Sequence, residues 1–171
     1  YADVQNKNAT VNIETTIENR NFSNTNCTVY SYITDRDGKQ IGQTKEQPLS
    51  LLVNGKGTIK QKIALTNPVL WSLEDPYLYR VASVVKSGNK IVDVVRDKFG
   101  IRTLRFDGNE GFFLNDKHVK IYGMNNHQDH AGLGSALPDY LQYYRVRLLK
   151  NMGVNAYRTS HNPPTPELLD A

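Results

Sequence analysis

Three of the four histidines stand in two short runs near the end of the chain. His127 and His130 lie in Asn125-Asn126-His127-Gln128-Asp129-His130, and His161 lies in Arg158-Thr159-Ser160-His161-Asn162-Pro163-Pro164. Imidazoles and amides both donate and accept hydrogen bonds, carboxylates accept, and a guanidinium donates in a fork. Gathered in one pocket, Asn126, His127, Asp129, Arg158 and His161 would suit sugar hydroxyls, which are donors and acceptors at once. A second chemistry is open to some of the same residues. His127, Asp129, His130 and His161 offer nitrogen and oxygen donors of the kind zinc accepts, as in a metal-dependent hydrolase, although their spacing fits no specific zinc site. Plain structural uses also exist. His130 could bond its own loop, Arg158 could pair with Asp129, and His118 reads as an exposed polar residue of a hairpin.

These runs can converge only if the chain brings them to one end of a sheet. Residues 118–123 read as a strand leading through Met124 into a loop over 125–137. A helix follows. Pro138 fits its first position, and Asp139 fits the first turn, where the helix dipole favours negative charge. Leu141, Tyr144, Leu148 and Met152 recur at helical spacing. Gly153 is a left-handed stop, and 154–159 forms a second strand. Strand, helix and strand at this length imply a parallel pair, with both polar runs leaving the same end. In an α/β barrel that end carries the active site. Thr165 and Pro166 then cap a further helix that stops after about one turn, so the expectation is a piece cut from a longer α/β protein.

The first hundred residues have a different period. Val11, Ile13, Thr15 and Ile17 alternate with polar residues, as do Cys27, Val29, Ser31 and Ile33, which is the mark of half-buried strands. Asp35-Arg36-Asp37-Gly38 is a turn, and Ser87-Gly88-Asn89-Lys90 links two longer strands in a hairpin. Short strands at this spacing point to an immunoglobulin-like sandwich. Its expected core includes Val11, Ile13, Val29, Ile63, Val81 and Val94. Trp71 reads as a core or interdomain residue.

Composition narrows the classes. The 171 residues are 39% hydrophobic with a net charge of +4. That supports a packed core, gives no basic and aromatic surface for nucleic acid, and contains no apolar run of the ~20 residues a membrane helix needs. Cys27 is the only cysteine, which excludes an internal disulfide. The chain opens without Met or a signal-like run, so its start reads as processing or a boundary and no compartment is legible.

At several motifs the sequence resembles glycoside hydrolase family 2. They are Trp71-Ser72-Leu73-Glu74-Asp75-Pro76-Tyr77-Leu78-Tyr79, Phe99-Gly100-Ile101-Arg102, Gly111-Phe112-Phe113-Leu114-Asn115, Gly123-Met124 with the first polar run, and Gly153-Val154-Asn155-Ala156-Tyr157 with the second. They follow the family's order over residues from about 4 to the last. Asn162 departs from the Tyr that many members carry there. With Ala131-Gly132-Leu133-Gly134 after His130, it resembles the bacterial β-galactosidase branch.

The resemblance implies a mainly β chain: an immunoglobulin-like β-sandwich over 1–103, then an incomplete (β/α)8 TIM-barrel segment over 104–171. It implies retaining hydrolysis of β-galactosides by two glutamates that lie beyond Ala171, so the chain itself holds no catalytic residue. His127 and His161 match histidines that contact sugar hydroxyls, and Arg158 matches the arginine that orients the nucleophile. Asn126 and Asp129 lie in the matching loop. The fragment calls for no cofactor, while the parent enzymes use magnesium or sodium ions. The expected partner is a carbohydrate, with neither nucleic acid nor membrane, and the exposed barrel segment could join two copies. The alternatives are a β-glucuronidase or β-mannosidase of the same family, a non-catalytic carbohydrate-binding or adhesion module, and the metal-dependent hydrolase.

Overall fold

The computed structural model describes residues 2–171. By chain contacts it divides into two compact units. One holds the residues up to Phe106 together with Phe113–Lys117, and the other holds Asp107–Phe112 and His118–Ala171.

The first unit is a two-sheet sandwich. One sheet orders β1 (Ala2–Asp3), β2 (Asn8–Glu18) and β6 (Lys56–Thr66). The other orders β4 (Gln40–Gln43), β3 (Thr25–Thr34), β7 (Tyr79–Ser87) and β8 (Lys90–Phe99), with β5 (Gln47–Leu51) also on β3. The alternation read in β3 is the burial observed: Cys27, Val29, Ser31 and Ile33 are buried, and the residues between them are not. β6 repeats the pattern with Ile59, Gln61, Ile63 and Leu65. Gly38 closes the first turn at φ 88°, a conformation that costs glycine nothing.

Two apolar clusters fill the space between the sheets. Ile33, Ile63, Leu65, Tyr79 and Ile101 are among the residues of one, and Val29, Leu51, Ile59 and Val85 belong to the other. A line of polar side chains runs between them. Thr15 Oγ1 lies 2.9 Å from Ser83 Oγ, which lies 3.0 Å from Ser31 Oγ. The Ser31 hydroxyl donates to Gln61 Oε1 at 2.9 Å, and Gln61 Nε2 donates to the carbonyls of Val29 and Lys45. Ser31 and Gln61 are buried, so their side chains have exchanged water for protein partners. Ser31→Ala should therefore cost about 1–3 kcal/mol by stranding Gln61 Oε1. Urea denaturation reads this directly, and a loss below about 0.5 kcal/mol would show that water replaces the hydroxyl.

The expected core needs one correction. Val29 and Ile63 are buried, while Val11, Ile13 and Val81 pack against the first cluster partly exposed. Val94 pairs with Val84, on the opposite face of β7 from Tyr79, Val81 and Val85. That outer face is itself apolar, with Tyr30 opposite Val84 and Tyr32 opposite Ala82, so hydrophobicity alone does not reveal which face of β8 looks inward. Cys27 is buried, its thiol donates to the Leu49 carbonyl at 3.5 Å, and burial pushes its pKa up, as for an inert structural cysteine. Trp71 also has a structural place. Its ring lies under the Arg102 guanidinium, 4.4 Å from the ring centroid, and a Cβ at Gly100 would sit 3.0–3.2 Å from it.

The chain then passes through β9 (Leu104–Asp107), β10 (Gly111–Leu114) and β11 (Lys117–His118), ordered β11-β10-β9. Asn115 and Asp116, both at positive φ, make the tight turn between β10 and β11. In the second unit, β12 (Gly123–His127) pairs parallel with β13 (Ala156–Ser160), and α1 (Asp139–Asn151) lies between them in sequence. Pro138 is the N-cap of α1, Asp139 is in its first turn, and Gly153 at φ 87° follows its end. α2 (Pro166–Asp170) has Thr165 at its N-cap, as its sequence predicts.

Two features of this unit differ from expectation. The first barrel strand runs over 123–127, not 118–123, so His127 ends a strand instead of sitting in a loop. The inward face of α1 is also rotated. Leu141 and Gln142 are buried and Arg145, Val146 and Leu149 half-buried, while Tyr144, Leu148 and Met152 are exposed. The turn is tied by Arg145, whose Nη2 donates to the carbonyl oxygen of His127.

Candidate active site

Parallel pairing sets the site's geometry before any side chain is considered. Asn125 lies opposite Arg158, Asn126 opposite Thr159, and His127 opposite Ser160. Side chains alternate along a strand, so Asn125, His127, Arg158 and Ser160 share one face. Asn126, Tyr157 and Thr159 share the other. They line a recess of about 370 Å³ together with Gln142 of α1 and Leu168 of α2. Burial there raises the pKa of the Tyr157 phenol.

On the first face the two histidines meet. The rings of His127 and His161 lie edge to face, 5.1 Å between centroids at 82°. The peptide bond from Ser160 to His161 is cis. Arg158 Nη1 donates to Ser160 Oγ at 2.9 Å, and Ser160 is buried. Arg158 forms no ion pair with Asp129. The Asp129 carboxylate instead lies 3.9 Å from Nδ1 of His127, too far for a direct hydrogen bond, and both side chains are about two-thirds exposed. His130 bonds its own loop: its Nδ1 lies 3.1 Å from the Ala131 carbonyl oxygen, and its backbone pairs with Gly134.

The structure therefore brings His127 and His161 into contact and sets Arg158 on the same face of the strand pair as His127, with Asp129 beside His127. Asn126 lies on the far face, its Nδ2 buried without a hydrogen-bond partner. The reading from sequence missed Asn125, which shares the face of His127 and Arg158. The signal was available, since residues two apart on a strand look the same way, but only once 123–127 is seen as strand. Among the described residues no group of three or more His, Cys, Asp or Glu side chains is placed to hold a metal ion.

Comparison with known proteins fits both units. The model for glycosyl hydrolases family 2 matches residues 1–102, and that for the family's TIM barrel domain matches 107–171. The chain belongs to glycoside hydrolase family 2. Its fold is accordingly an immunoglobulin-like sandwich followed by the start of a TIM barrel. This family 2 chain is 35% identical over 170 residues to β-galactosidase BoGH2A of Bacteroides ovatus, covering 99% of the chain and 20% of that protein. It is 31% identical over 173 residues to a β-glucuronidase of Formosa agariphila, covering 99% and 18%. Among solved structures, the Bacteroides uniformis β-glucuronidase superposes with a TM-score of 0.91 at 30% identity, covering 96% of the chain and 20% of its own. The chain thus spans about a fifth of the length of the curated relatives it matches.

Proposed function

We propose that this chain is the sandwich, over 1–103, and the opening of the catalytic barrel, over 104–171, of a longer retaining glycosidase acting on terminal β-D-galactosides. The observation that carries the reading is the edge-to-face pair of His127 and His161 beside Arg158, at the ends of two parallel strands. Two imidazoles held at such an angle present donors and acceptors in different directions, as the hydroxyls of a pyranose require. The Arg158 fork keeps N–H groups free of any carboxylate partner among the described residues and is suited to a nucleophilic glutamate. Retention needs two carboxyl groups about 5–5.5 Å apart, one attacking while the other protonates the leaving oxygen. We place both on barrel strands outside this chain, which makes the residues here accessory to the reaction.

Asn162 and the loop after His130 favour the galactoside. A β-glucuronide is the second reading, because relatives of comparable identity carry that name. Initial rates of the longer protein on aryl β-galactoside, β-glucuronide and β-mannoside decide between them, with the galactoside expected to turn over fastest. The 171-residue chain alone should show no turnover above a blank. Activity in rigorously pure chain would place the catalytic carboxylates within it and overturn this assignment. The exposed Tyr144, Leu148 and Met152 face is where two copies of the isolated chain would join, and light scattering on the same preparation reads it.

A further inference from the structure

The outer face of the five-stranded sheet is apolar at its centre and basic at one end. Strand register sets its side chains in rows. Tyr30, Val84 and Val94 form one row, Gln43, Tyr32, Ala82 and Arg96 the next, and Gln40, Thr34, Arg80 and Lys98 the one after. Directly opposed residues share a face, so these rows lie on the side of the sheet away from Tyr79, Val81 and Val85. The Tyr30 and Tyr32 rings lie 6.4 Å apart at 30°, and Gln40 Nε2 donates to Gln43 Oε1 at 2.9 Å. Arg36 closes the basic corner. Its guanidinium lies 4.4 Å from the Tyr77 ring centroid and pairs with Asp75, and its carbonyl oxygen accepts from Arg80 Nη1 at 3.0 Å. Arg36, Arg80 and Lys98, with Pro76 and Leu78, line a recess of about 260 Å³.

This corner is unfavourable as it stands. Like charges directly opposite on paired strands repel, and Arg80 and Lys98 are such a pair, with Arg96 diagonal to Arg80. Among the described residues no carboxylate pairs with Arg80 or Arg96. We infer that this face binds an anionic saccharide chain. Its sulfate ester or carboxylate sits among Arg36, Arg80 and Lys98, and a neighbouring pyranose lies on Tyr32 and Tyr30. A guanidinium presents paired N–H groups that match the oxygens of either acid, and the Lys98 ammonium adds a point charge. Tyrosine joins an apolar ring face to a polar tip, which suits the mixed surface of a sugar. The Gln40 and Gln43 amides supply donors and acceptors for hydroxyls. Strands about 4.8 Å apart make β4 to β8 about 14 Å wide, which fits a short oligosaccharide better than one ring. The residues come from stretches far apart in sequence, so no basic run marks the site. All belong to the first unit, and the inference does not depend on which sugar the longer protein cleaves.

Calorimetric titration of the chain at low ionic strength tests this, since exposed charges bind in a salt-sensitive way. The probes are a sulfated galactan tetrasaccharide, its desulfated counterpart, a galacturonate tetrasaccharide and inorganic sulfate. At least one acidic saccharide should bind, and the tighter of the two names the acid group. The desulfated chain and inorganic sulfate should each bind at least about tenfold more weakly than it, one lacking the charge and the other the ring. Arg80→Gln with Lys98→Gln should weaken the acidic saccharide about 10- to 100-fold. Lys98→Glu sets a carboxylate opposite Arg80, so it should keep the melting temperature and abolish binding. Lys60→Gln, on the other sheet beside Glu14, should change nothing. Amide shifts on binding should be confined to 30–34, 80–84 and 94–98. Failure of both acidic saccharides to bind, or equal binding of the desulfated chain, would overturn the inference. So would unchanged affinity in a folded Lys98→Glu variant, or an oligothymidylate bound as tightly as the saccharide, which would mark a general polyanion surface.

Discussion

In the longer protein, His161→Ala is expected to lower kcat/KM on its sugar roughly 30- to 900-fold, about 2–4 kcal/mol, with the fold intact. The estimate is by analogy with deleting one preorganised donor from a site where charge develops. His161 is exposed here and contacts the ring of His127, so the substitution opens no cavity and strands no buried partner. If the contact strengthens in the transition state, kcat falls with kcat/KM; if it only holds ground-state substrate, KM rises alone. Steady-state kinetics separate the two, and unchanged constants would remove His161 from the site.

Ile33→Ala should destabilise the sandwich by about 2–5 kcal/mol, a large share of the 5–15 kcal/mol typical of a domain. Ile33 is fully buried on β3, a strand that pairs with β4, β5 and β7 and so has little freedom to collapse into a cavity. Val95→Ala is the internal contrast. Val95 is equally apolar and on the inward face but more than half exposed, so its loss should cost well under about 1 kcal/mol. Urea midpoints for the two variants test the core directly. Equal losses would mean that the two sides of the sandwich are equally closed.

Where one face of a strand is buried and the other wet, sequence and structure agree residue by residue, as in β3 and β6. The turns at Gly38 and Gly153 were legible because few residues suit those left-handed backbone positions, and Thr165 stands at the N-cap of α2 although its side chain makes no capping hydrogen bond. β8 was not legible in the same way. Its inward face carries Asp93 and Asp97, while Val94 packs on an outer face that Tyr30 and Tyr32 keep apolar, so polarity does not mark the inside. α1 misled because Leu141 belongs to two stripes. The less apolar one turned inward, and the Arg145 side chain ties it to the carbonyl oxygen of His127. At the site, His127, Arg158 and His161 converge because parallel pairing aligns the strand ends. Asn126 and Asn125 exchange places because the strand begins five residues later than its hydrophobic pattern implies.

A crystal structure of the longer protein with a slowly hydrolysed β-galactoside analogue tests the central claim most directly. The account predicts ring nitrogens of both His127 and His161 within hydrogen-bond distance of the sugar hydroxyls, the Arg158 guanidinium on a glutamate from a later strand, and Asn126 turned away. A sugar bound with neither histidine within about 3.2 Å of it would contradict the account.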